Sequence, residues 1–365
     1  MSKKNTLFVM HELELGGAER VVSNLVNNLD RKKYILNFAL FKKKGILVDK
    51  IKKDVKIYDL KASRVITSGH KLFALIVRLK PDIVFSSITH VNLLIGLFVP
   101  FIRLFNKNTK FITREVNIPS IRAKYMKKSK KLDMFYRHII KNFDKVVAQS
   151  EYMSKDLQKS YGLDSSKIVV INNPLDVDMI DKALLNPDGE KVCFDKSRVN
   201  LLAVGNFRLQ KGFDILLEVM PYLDEKFHLY IIGDGAERSK LESIIQKLNI
   251  SSSVTLLGFK SNPYIYMKEA DIFVLSSRYE GFPNVVLEAN RCGKFVVAFE
   301  VAGVGEEIIQ DGVNGTLVEF DNKREFANAI KNYASTKIDE ERIIETIQKY
   351  RVENIIKEYE KLFEG

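Results

Sequence analysis

Short apolar runs rich in β-branched residues alternate with longer segments of helical periodicity along almost the whole chain. In the first half these runs are TLFVM, ILNFALF, VKIYDL, DIVFSS, TKFIT, KVVAQS and KIVVIN, and in the second half they are LLAVG, FHLYIIG, VTLLG, DIFVLS, KFVVAF and GTLVEF. Runs of this kind are typical of parallel strands that helices cover on both faces. The alternation therefore predicts an α/β protein with two doubly wound parallel-sheet domains in tandem.

The series of strands is interrupted between residues 172 and 200. This segment contains two prolines, many turn-forming residues and little periodicity, which is typical of a linker between domains. We expect an N-terminal domain over residues 1–175, a linker over 176–198 and a C-terminal domain over 199–337. Apolar residues at helical spacing then predict a terminal helix over 338–365, whose apolar side could pack back on the N-terminal domain.

The positive charge belongs to the first half of the chain. Residues 1–175 contain 34 Lys and Arg against 14 Asp and Glu, whereas the rest contains 24 against 32, so net charges of +20 and −8 make up the total of +12. Residues 121–145 carry nine basic and two acidic side chains with apolar residues interleaved. Such a segment suits an anionic membrane surface, although a solvated basic helix explains it equally well. We expect no nucleic-acid partner, because no recognition motif is visible and the second half is acidic.

The cysteines and the N-terminal sequence predict a cytoplasmic protein, and the basic first half predicts that it is peripheral on the inner face of the plasma membrane. Cys193 and Cys292 lie far apart in sequence, with no spacing typical of disulfides or zinc sites. Acidic residues interrupt the apolar run near the N-terminus, so it does not resemble a signal peptide. The apolar run over residues 91–105 contains Pro100 and Arg103 and falls short of the roughly 20 residues of a spanning helix. It predicts a buried or membrane-apposed helix.

Several loops that follow predicted strands contain glycine, and ligands of such sheets bind outside the carboxyl ends of the strands. Gly16 and Gly17 lie between a strand and a helix, where their backbone could approach a ligand closely, although a tight turn explains them as well. Gly233 and Gly235 follow another strand, but Arg238 replaces the third glycine of a dinucleotide fingerprint. A nicotinamide-dependent enzyme is therefore disfavoured.

The segment EGFPNVVLE carries two glutamates, Glu280 and Glu288, on either side of a predicted helix start. Pro283 suits the first helical position, which would leave the amides of residues 284–286 pointing toward the preceding loop. An anion could bind there, while the glutamates accept hydrogen bonds from hydroxyls on either side of it. A sugar and a ribose joined by a diphosphate fit this arrangement. The alternative is that both glutamates are surface charges near a helix N-terminus.

Two cations, Arg208 and Lys211, follow the first strand of the second half in the segment GNFRLQKGFD. A bidentate guanidinium and an ammonium could neutralise a diphosphate without a metal, although both could be ordinary surface cations. Asp176 and Asp178 have the Asp-x-Asp form that holds a metal in some glycosyl-transferring enzymes, but they lie in the predicted linker, away from strand ends. We therefore assign them to structure and expect no metal and no cofactor.

These motifs together resemble the retaining glycosyltransferases of family four. The resemblance rests on EGFPNVVLE followed by ANRCGKFVVAFEVAGVGEEIIQDGVNGTLV, together with GNFRLQKGFD and LGGAER. It covers essentially the whole chain and is strongest over residues 199–320. It implies the GT-B fold, in which two Rossmann-like domains flank an interdomain cleft.

The resemblance also implies roles for individual residues. Arg208 and Lys211 would bind the donor diphosphate, Glu280 would contact hydroxyls of the donor sugar, and Glu288 would bind the ribose. Arg208, Lys211 and Glu280 are also the implied catalytic residues. Further donor-binding residues would be Gly16 and Gly233, Gly17 at the phosphates, Gly258, Phe259 and Lys260 by the base, and Gly281, Phe282, Pro283, Asn284 and Val285 against sugar and phosphate.

The chain departs from the family after the predicted strand KFIT. Many members carry a histidine there, whereas this chain has Arg114 and Glu115 in TREVN. Glu115 is a fourth catalytic candidate, since a carboxylate could stabilise positive charge developing on the anomeric carbon; a structural role is equally open. His90 and His11, near other strand ends, rank below it.

The function that follows from the resemblance is retaining, metal-independent transfer of a hexosyl or N-acetylhexosaminyl group. The donor would be a nucleotide-diphosphate sugar, which we expect to be a UDP-sugar. The acceptor would be a saccharide hydroxyl, with the saccharide linked to a polyprenyl diphosphate, in lipopolysaccharide or capsule synthesis. The basic N-terminal domain would associate with the anionic membrane. The alternatives are a sugar-nucleotide epimerase or hydrolase on the same fold and a non-catalytic nucleotide-sugar-binding protein.

Overall fold

The computed structural model describes residues 2–14, 16–62, 65, 68–125, 130–186, 191–305, 307–336 and 339–365. It divides into two compact units. The first unit consists of Met1–Pro174 and Val352–Gly365, and the second unit is Leu175–Arg351. The described part of the chain contains thirteen strands, all in parallel pairing, in two sheets.

The first unit contains a seven-stranded sheet in the order β3-β2-β1-β4-β5-β6-β7. Its strands are β1 (Lys4–Met10), β2 (Tyr34–Leu40), β3 (Lys56–Asp59), β4 (Ile83–Ser87), β5 (Lys110–Arg114), β6 (Lys145–Ala148) and β7 (Ile168–Val170). Its helices are α1 (Gly17–Asn28), α2 (Gly69–Leu79), α3 (Thr89–Ile102), α4 (Pro119–Tyr125), α5 (Lys130–Ile139), α6 (Glu151–Tyr161) and, after the second unit, α14 (Val352–Glu364).

The second unit contains a six-stranded sheet in the order β10-β9-β8-β11-β12-β13. Its strands are β8 (Val199–Val204), β9 (Phe227–Ile232), β10 (Val254–Gly258), β11 (Ile272–Leu275), β12 (Phe295–Glu300) and β13 (Gly315–Glu319). Its helices are α7 (Val177–Leu185), α8 (Phe213–Val219), α9 (Arg238–Lys247), α10 (Pro263–Glu269), α11 (Asn284–Arg291), α12 (Lys323–Ala334) and α13 (Glu340–Glu345).

Strands of the second sheet supply alternate residues to two apolar cores, one on each face. Leu201 and Ile272 belong to one core, and their neighbours Leu202 and Phe273 belong to the other. Successive side chains of a strand point to opposite faces, so a strand that is apolar throughout is stable only with both faces covered. The predicted α/β class with two doubly wound sheets is confirmed.

The segment predicted to be a linker is part of the second unit instead. Within it α7 spans Val177–Leu185, and Val177 and Ile180 are buried in the core beneath it. Asp176 caps this helix by accepting a hydrogen bond from the amide of Met179 at 2.9 Å. The helix is stable because its apolar side chains pack on the core of the second unit. Its apolar spacing is hard to recognise in the sequence because turn-forming residues stand on both sides of it.

Residues 339–364 form two helices rather than one. The helix α13 ends at Glu345, a short 3-10 helix follows at Gln348–Tyr350, and α14 begins at Val352. The apolar face of α14 lies in the core of the first unit, where the ring of Phe363 is 6.3 Å from that of Phe8. No helix among the described residues combines the length and the apolar character that crossing a membrane requires.

Candidate functional site

Two loops of the second unit meet where the order of strands reverses. Strands β8 and β11 are neighbours, and the chain continues from them in opposite directions, to β9 and to β12. The β8 loop (residues 205–212) contains Arg208 and Lys211, and the β11 loop (residues 276–283) contains Glu280. Such a switch point is where ligands of doubly wound sheets bind.

A largely buried ion pair joins the two loops. Lys211 Nζ donates a hydrogen bond to Glu280 Oε1 at 2.7 Å, and Ser277 Oγ donates to the same oxygen at 2.6 Å. The side chains of Lys211 and Glu280 are only 22% and 7% exposed. The second carboxylate oxygen, Oε2, accepts no hydrogen bond from any described residue. Burying both charges costs desolvation energy, so the pair need not stabilise the fold. A functional role for the pair is therefore a reasonable hypothesis.

A second ion pair ties the same loops together. Arg278 binds Asp214 of α8 in a bidentate manner, with Nη1 to Oδ1 at 2.7 Å and Nη2 to Oδ2 at 3.0 Å. Its Nη1 also donates to the carbonyl of Leu209 at 2.7 Å, and its amide donates to the carbonyl of Gln210 at 2.7 Å. This pair was not predicted from the sequence, although Arg278 lies two residues before Glu280.

The environment of Asp214 favours its ionised form. Burial opposes ionisation, but the hydrogen bonds and charges of Arg278 and Lys240 outweigh it, so the pKa of Asp214 lies below its usual value. A carboxyl whose pKa is lowered by folding stabilises the protein above its unfolded-state pKa. That contribution is lost as the pH falls through the folded-state pKa.

Asp214→Asn is therefore expected to lower the free energy of unfolding at pH 7 by about 1–3 kcal/mol, because hydrogen bonds to a charged group are lost. The difference from the parent protein should shrink as the pH falls below about 4, where the unfolded chain begins to bind the proton, and should be lost below the lowered folded-state pKa, where the parent carboxyl is itself protonated. Urea unfolding at several pH values measures both. The exposed Asp178, 3.9 Å from its nearest cation Arg351, supplies the control Asp178→Asn. A pH-independent difference for Asp214→Asn would contradict the assignment.

Two glycines allow the loops to approach their neighbours. Gly212 has φ +64°, and a Cβ there would lie 2.0 Å from the carbonyl oxygen of Ser276. Gly303 has φ +79°, and a Cβ there would lie 1.8 Å from the carbonyl oxygen of Glu280. The amide of Glu280 also donates to the carbonyl of Ala302 at 2.9 Å. The backbone at Glu280 is thus held by close contacts that only glycine permits.

The helix α11 begins one residue later than predicted. Pro283 is its N-cap, with ψ 82°, and Asn284 is the first helical residue. Two of the three amides predicted to be free have partners, because Asn284 donates to the carbonyl of Phe282 at 3.0 Å and Val286 donates to that of Pro283 at 2.9 Å. The amide of Val285 has no acceptor among the described residues.

The amides of Gly281 and Phe282 likewise have no acceptor among the residues that the structure describes. Together with Val285 they leave three backbone donors at the start of α11, beside the carboxylate of Glu280. Glu288 lies in the second turn of this helix and is 7% exposed, and Glu280 is 6% exposed. The alternative that the two glutamates are surface charges is therefore wrong.

Arg208 differs from Lys211 in its surroundings. It is exposed, and its side chain makes no hydrogen bond or ion pair within the described part of the chain. Lys211 ends a short 3-10 helix, Leu209–Lys211, and its stem packs over Gly205, where a Cβ would lie 3.3 Å from it. The guanidinium is thus free to bind an anion, whereas the ammonium is already held beside Glu280.

The other two glycines predicted for the site in the second unit, Gly233 and Gly258, lie at the carboxyl ends of β9 and β10. The amide of Gly233 donates to the carbonyl of Gly258 at 2.9 Å, and a Cβ on Gly233 would lie 1.9 Å from the carbonyl oxygen of Gly205. Gly258 has φ +72° and open space around it. Beyond it, Phe259 is 67% exposed and Lys260 Nζ lies 5.3 Å from the ring centroid of Tyr266.

The remaining predicted site residues belong to the first unit. Gly16 caps α1 and Gly17 is its first residue. Glu115 is 2% exposed, and its Oε1 accepts hydrogen bonds from the hydroxyl of Tyr136 and, at 3.1 Å, from Nδ2 of Asn92. A carboxylate held in this way inside the first unit favours the structural role that the sequence left open.

The two histidines near strand ends of the first unit contact one another. The rings of His11 and His90 lie 5.4 Å apart, edge to face. Burial, followed by the charge of His11, lowers the pKa of His90. Among the described residues, no group of three or more His, Cys, Asp and Glu side chains is placed to hold a metal ion.

Comparison with known proteins identifies the class to which this fold belongs. A family model described as "Glycosyltransferase Family 4" matches residues 15–179, and one described as "Glycosyl transferases group 1" matches residues 189–350. The structure of HepE of Anabaena in complex with UDP and glucose superposes with a TM-score of 0.79 at 18% identity, over 99% of this chain and 100% of that one. The fold is that of the GT-B glycosyltransferases, as expected.

Two relatives extend the comparison. One is the N-acetylgalactosamine-N,N'-diacetylbacillosaminyl-diphospho-undecaprenol 4-alpha-N-acetylgalactosaminyltransferase of Campylobacter jejuni, 27% identical over 63% of this chain and 61% of its own length. The other is an uncharacterized glycosyltransferase of Haemophilus influenzae, 26% identical over 90% of this chain and 89% of its own length. The chain therefore carries a domain that matches the Glycosyltransferase Family 4 model, followed by one that matches the Glycosyl transferases group 1 model.

Proposed function

We propose that this chain transfers a sugar from a nucleotide-diphosphate donor to a hydroxyl group of a lipid-linked saccharide, with retention of configuration. The donor would be a UDP-sugar, and the pathway would be the assembly of a surface polysaccharide. The observation that carries the proposal is the arrangement at the switch point of the second sheet. The two loops that meet there carry the exposed Arg208, the largely buried Lys211–Glu280 pair and three amides that have no acceptor among the described residues.

The cations and amides suit the diphosphate. Arg208 could bind two phosphate oxygens in a bidentate manner, and the amides of Gly281, Phe282 and Val285 could donate to others. Lys211 has three donors, so it could bind a phosphate oxygen while it still holds Glu280. Neutralisation by these groups would stabilise the negative charge that develops on the leaving diphosphate. The same groups would perform the usual task of a divalent cation, which supports metal independence.

The glutamates suit the two sugars on either side of the diphosphate. Oε2 of Glu280 accepts no hydrogen bond from the described chain and could accept one from a hydroxyl of the donor sugar. Glu288, in the second turn of α11, would accept from the ribose. The exposed ring of Phe259, with Gly258, Lys260 and Gly233 beside it, would form the base-binding part. For Gly16 and Gly17 the role in donor binding stays a prediction from the sequence resemblance.

Retention in a single displacement requires the acceptor hydroxyl to attack from the face that the diphosphate leaves. The bond between the anomeric carbon and the diphosphate oxygen would break as the bond to the acceptor oxygen forms. The departing diphosphate is the base nearest the hydroxyl, so it would take the proton. The products would be the glycosylated acceptor and a nucleoside diphosphate. In this scheme the residues bind and orient the reactants and neutralise charge, while Glu115 supports the first unit through Tyr136 and Asn92.

Two observations support a lipid-linked acceptor: the name of one relative and the positive charge of the first unit. The name of the Campylobacter jejuni relative gives it a substrate linked to undecaprenyl diphosphate. The first unit of this chain carries 36 Lys and Arg against 18 Asp and Glu, a net charge of +18. Such a unit would be attracted to anionic lipids on the inner face of a membrane, where a lipid-linked acceptor would lie.

The first test is a thermal-shift series with UDP, GDP and ADP in the presence of a chelator, with NAD as the control. We expect UDP to raise the melting temperature and NAD to leave it unchanged, because a ligand that binds only the folded state stabilises it. A cooperative transition that no nucleoside diphosphate shifts would contradict the donor site. Nucleoside diphosphate released without an acceptor at the full rate would favour a hydrolase instead.

Arg208→Ala is expected to weaken UDP binding by about 10- to 100-fold, because charge-assisted hydrogen bonds to phosphate are lost. The control is Arg324→Ala, which removes another exposed arginine of the second unit. Titration of the thermal shift against UDP concentration measures both variants. Equal affinities of the two variants would remove Arg208 from the site.

A further inference from the structure

The last turn of α3 and the turn that follows it expose large apolar side chains to solvent. Phe101, Leu104 and Phe105 are 59%, 73% and 62% exposed, and we call these three residues the apolar tip. The opposite side of α3 is fully buried, for example at Ile95 and Val99. This end of α3 therefore has exposed apolar side chains in addition to the apolar face that packs on the sheet. Packing within the first unit does not account for the exposed ones.

The apolar tip is continuous with Phe73 of α2 and Phe98 of α3. The ring of Phe73 lies 6.3 Å from that of Phe105 and 5.5 Å from that of Phe98, edge to face in both cases. Contiguous apolar surface of this kind is uncommon on a soluble protein and marks an interaction site.

Basic residues lie at the same end of the first unit. Nδ2 of Asn106 donates to the carbonyl of Ile76 at 3.2 Å, which brings the carboxyl ends of α2 and α3 together. Arg78 and Lys80 at the end of α2 and Lys107 just after the apolar tip are all exposed. None of these three cations has a hydrogen-bond or ion-pair partner within the described part of the chain. An apolar centre with unpaired cations around it complements an anionic lipid surface, which offers acyl chains beneath phosphate headgroups.

We propose that the apolar tip inserts into an anionic lipid bilayer while Arg78, Lys80 and Lys107 bind headgroup phosphates. This inference rests on the proposed function, in which the acceptor is membrane-linked, and names the contact by which the first unit is held at the membrane. Lipid is favoured over a protein partner because the unit around the tip carries a net charge of +18. Insertion would add apolar burial to an attraction that salt otherwise screens.

The chain contains no tryptophan, so a single one can report on insertion. Leu104→Trp places it in the apolar tip, and Leu185→Trp is the matched control, because Leu185 is 79% exposed and belongs to the second unit. With vesicles of phosphatidylcholine and phosphatidylglycerol, we expect the emission of Leu104→Trp to shift to shorter wavelength and to be quenched by brominated acyl chains. The emission of Leu185→Trp should not change. Unchanged emission of Leu104→Trp in protein that sediments with the vesicles would overturn insertion.

A second measurement uses co-sedimentation. Phe101→Ser with Leu104→Ser should weaken vesicle binding by about tenfold for each side chain removed, since burying one such side chain is worth at least that factor. Equal binding of this variant and the parent, or no binding of the parent, would contradict the proposal. So would a dimer in size-exclusion chromatography that this variant dissociates, because the tip would then be a self-interface. The thermal shift with UDP should be unchanged, so its absence in the parent would indicate failure of the donor site instead.

Discussion

Glu280→Gln is expected to lower the rate of sugar transfer by about 10²- to 10³-fold, the usual effect of removing one preorganised electrostatic group. Glutamine keeps the size of the side chain and can still accept a hydrogen bond from Ser277. It loses the charge that orients Lys211 and one oxygen available to the donor sugar. Steady-state kinetics with a UDP-sugar and a lipid-linked acceptor measure the effect, which should fall mainly on kcat.

Glu300→Gln is the matched control for this prediction, because Glu300 is an exposed glutamate of the same unit, at the end of β12. Its transfer rate should equal that of the parent. A Glu280→Gln enzyme that is folded and transfers sugar at nearly the parental rate would exclude Glu280 from the site. Removing Lys211 as well, as Lys211→Met, should cost less than the sum of the single effects, since the two side chains act as a pair.

Gly303→Ala is expected to produce the largest loss of stability among single methyl additions in the site. Alanine at φ +79° is strained by about 1–2 kcal/mol, and its Cβ would also lie 1.8 Å from the carbonyl oxygen of Glu280. The backbone must move to relieve this contact, so Glu280 would shift and transfer would be lost. Urea unfolding and transfer assays measure the two consequences.

Gly312→Ala separates strain from contact. Gly312 has φ +68°, but no atom lies within 4 Å of the position of a Cβ there. This variant should show only the strain of about 1–2 kcal/mol and should retain transfer. If Gly303→Ala and Gly312→Ala were equally stable and equally active, the close approach at Glu280 would have no energetic importance.

Most strands could be predicted from sequence because they contain runs of apolar residues that reach both faces of the sheet, as Leu201 and Leu202 do in β8. The helix α7 could not, because its short apolar stripe stands between turn-forming residues and has meaning only against the core that covers Ile180. The break before α14 was missed for a similar reason. Apolar positions continue at helical spacing through the 3-10 helix, whereas the residues on its two sides belong to different units.

The candidate site was only partly visible in the sequence. Local motifs identified Arg208, Lys211 and Glu280, but the ion pair between Lys211 and Glu280 joins residues 69 positions apart, and its formation depends on the adjacency of β8 and β11. Arg278 and Asp214 belong to no pattern that suggests a pair. The burial of Glu115 depends on Tyr136 and Asn92, which lie 21 and 23 positions away.

The composition of the first unit has a consequence for biosynthesis. The core of this unit includes Tyr359 and Phe363 of α14, whose rings lie 5.8 Å and 6.0 Å from that of Phe85 in β4. Ribosomes make α14 only after the whole of residues 175–351, so the second unit can fold while the first still lacks part of its interior. Nascent domains usually fold in the order of synthesis. Here the sheet of the first unit is made first but can complete its core only after α14 has been made, so part of its apolar surface stays exposed in the meantime. We therefore expect the first unit to bind chaperones at the ribosome.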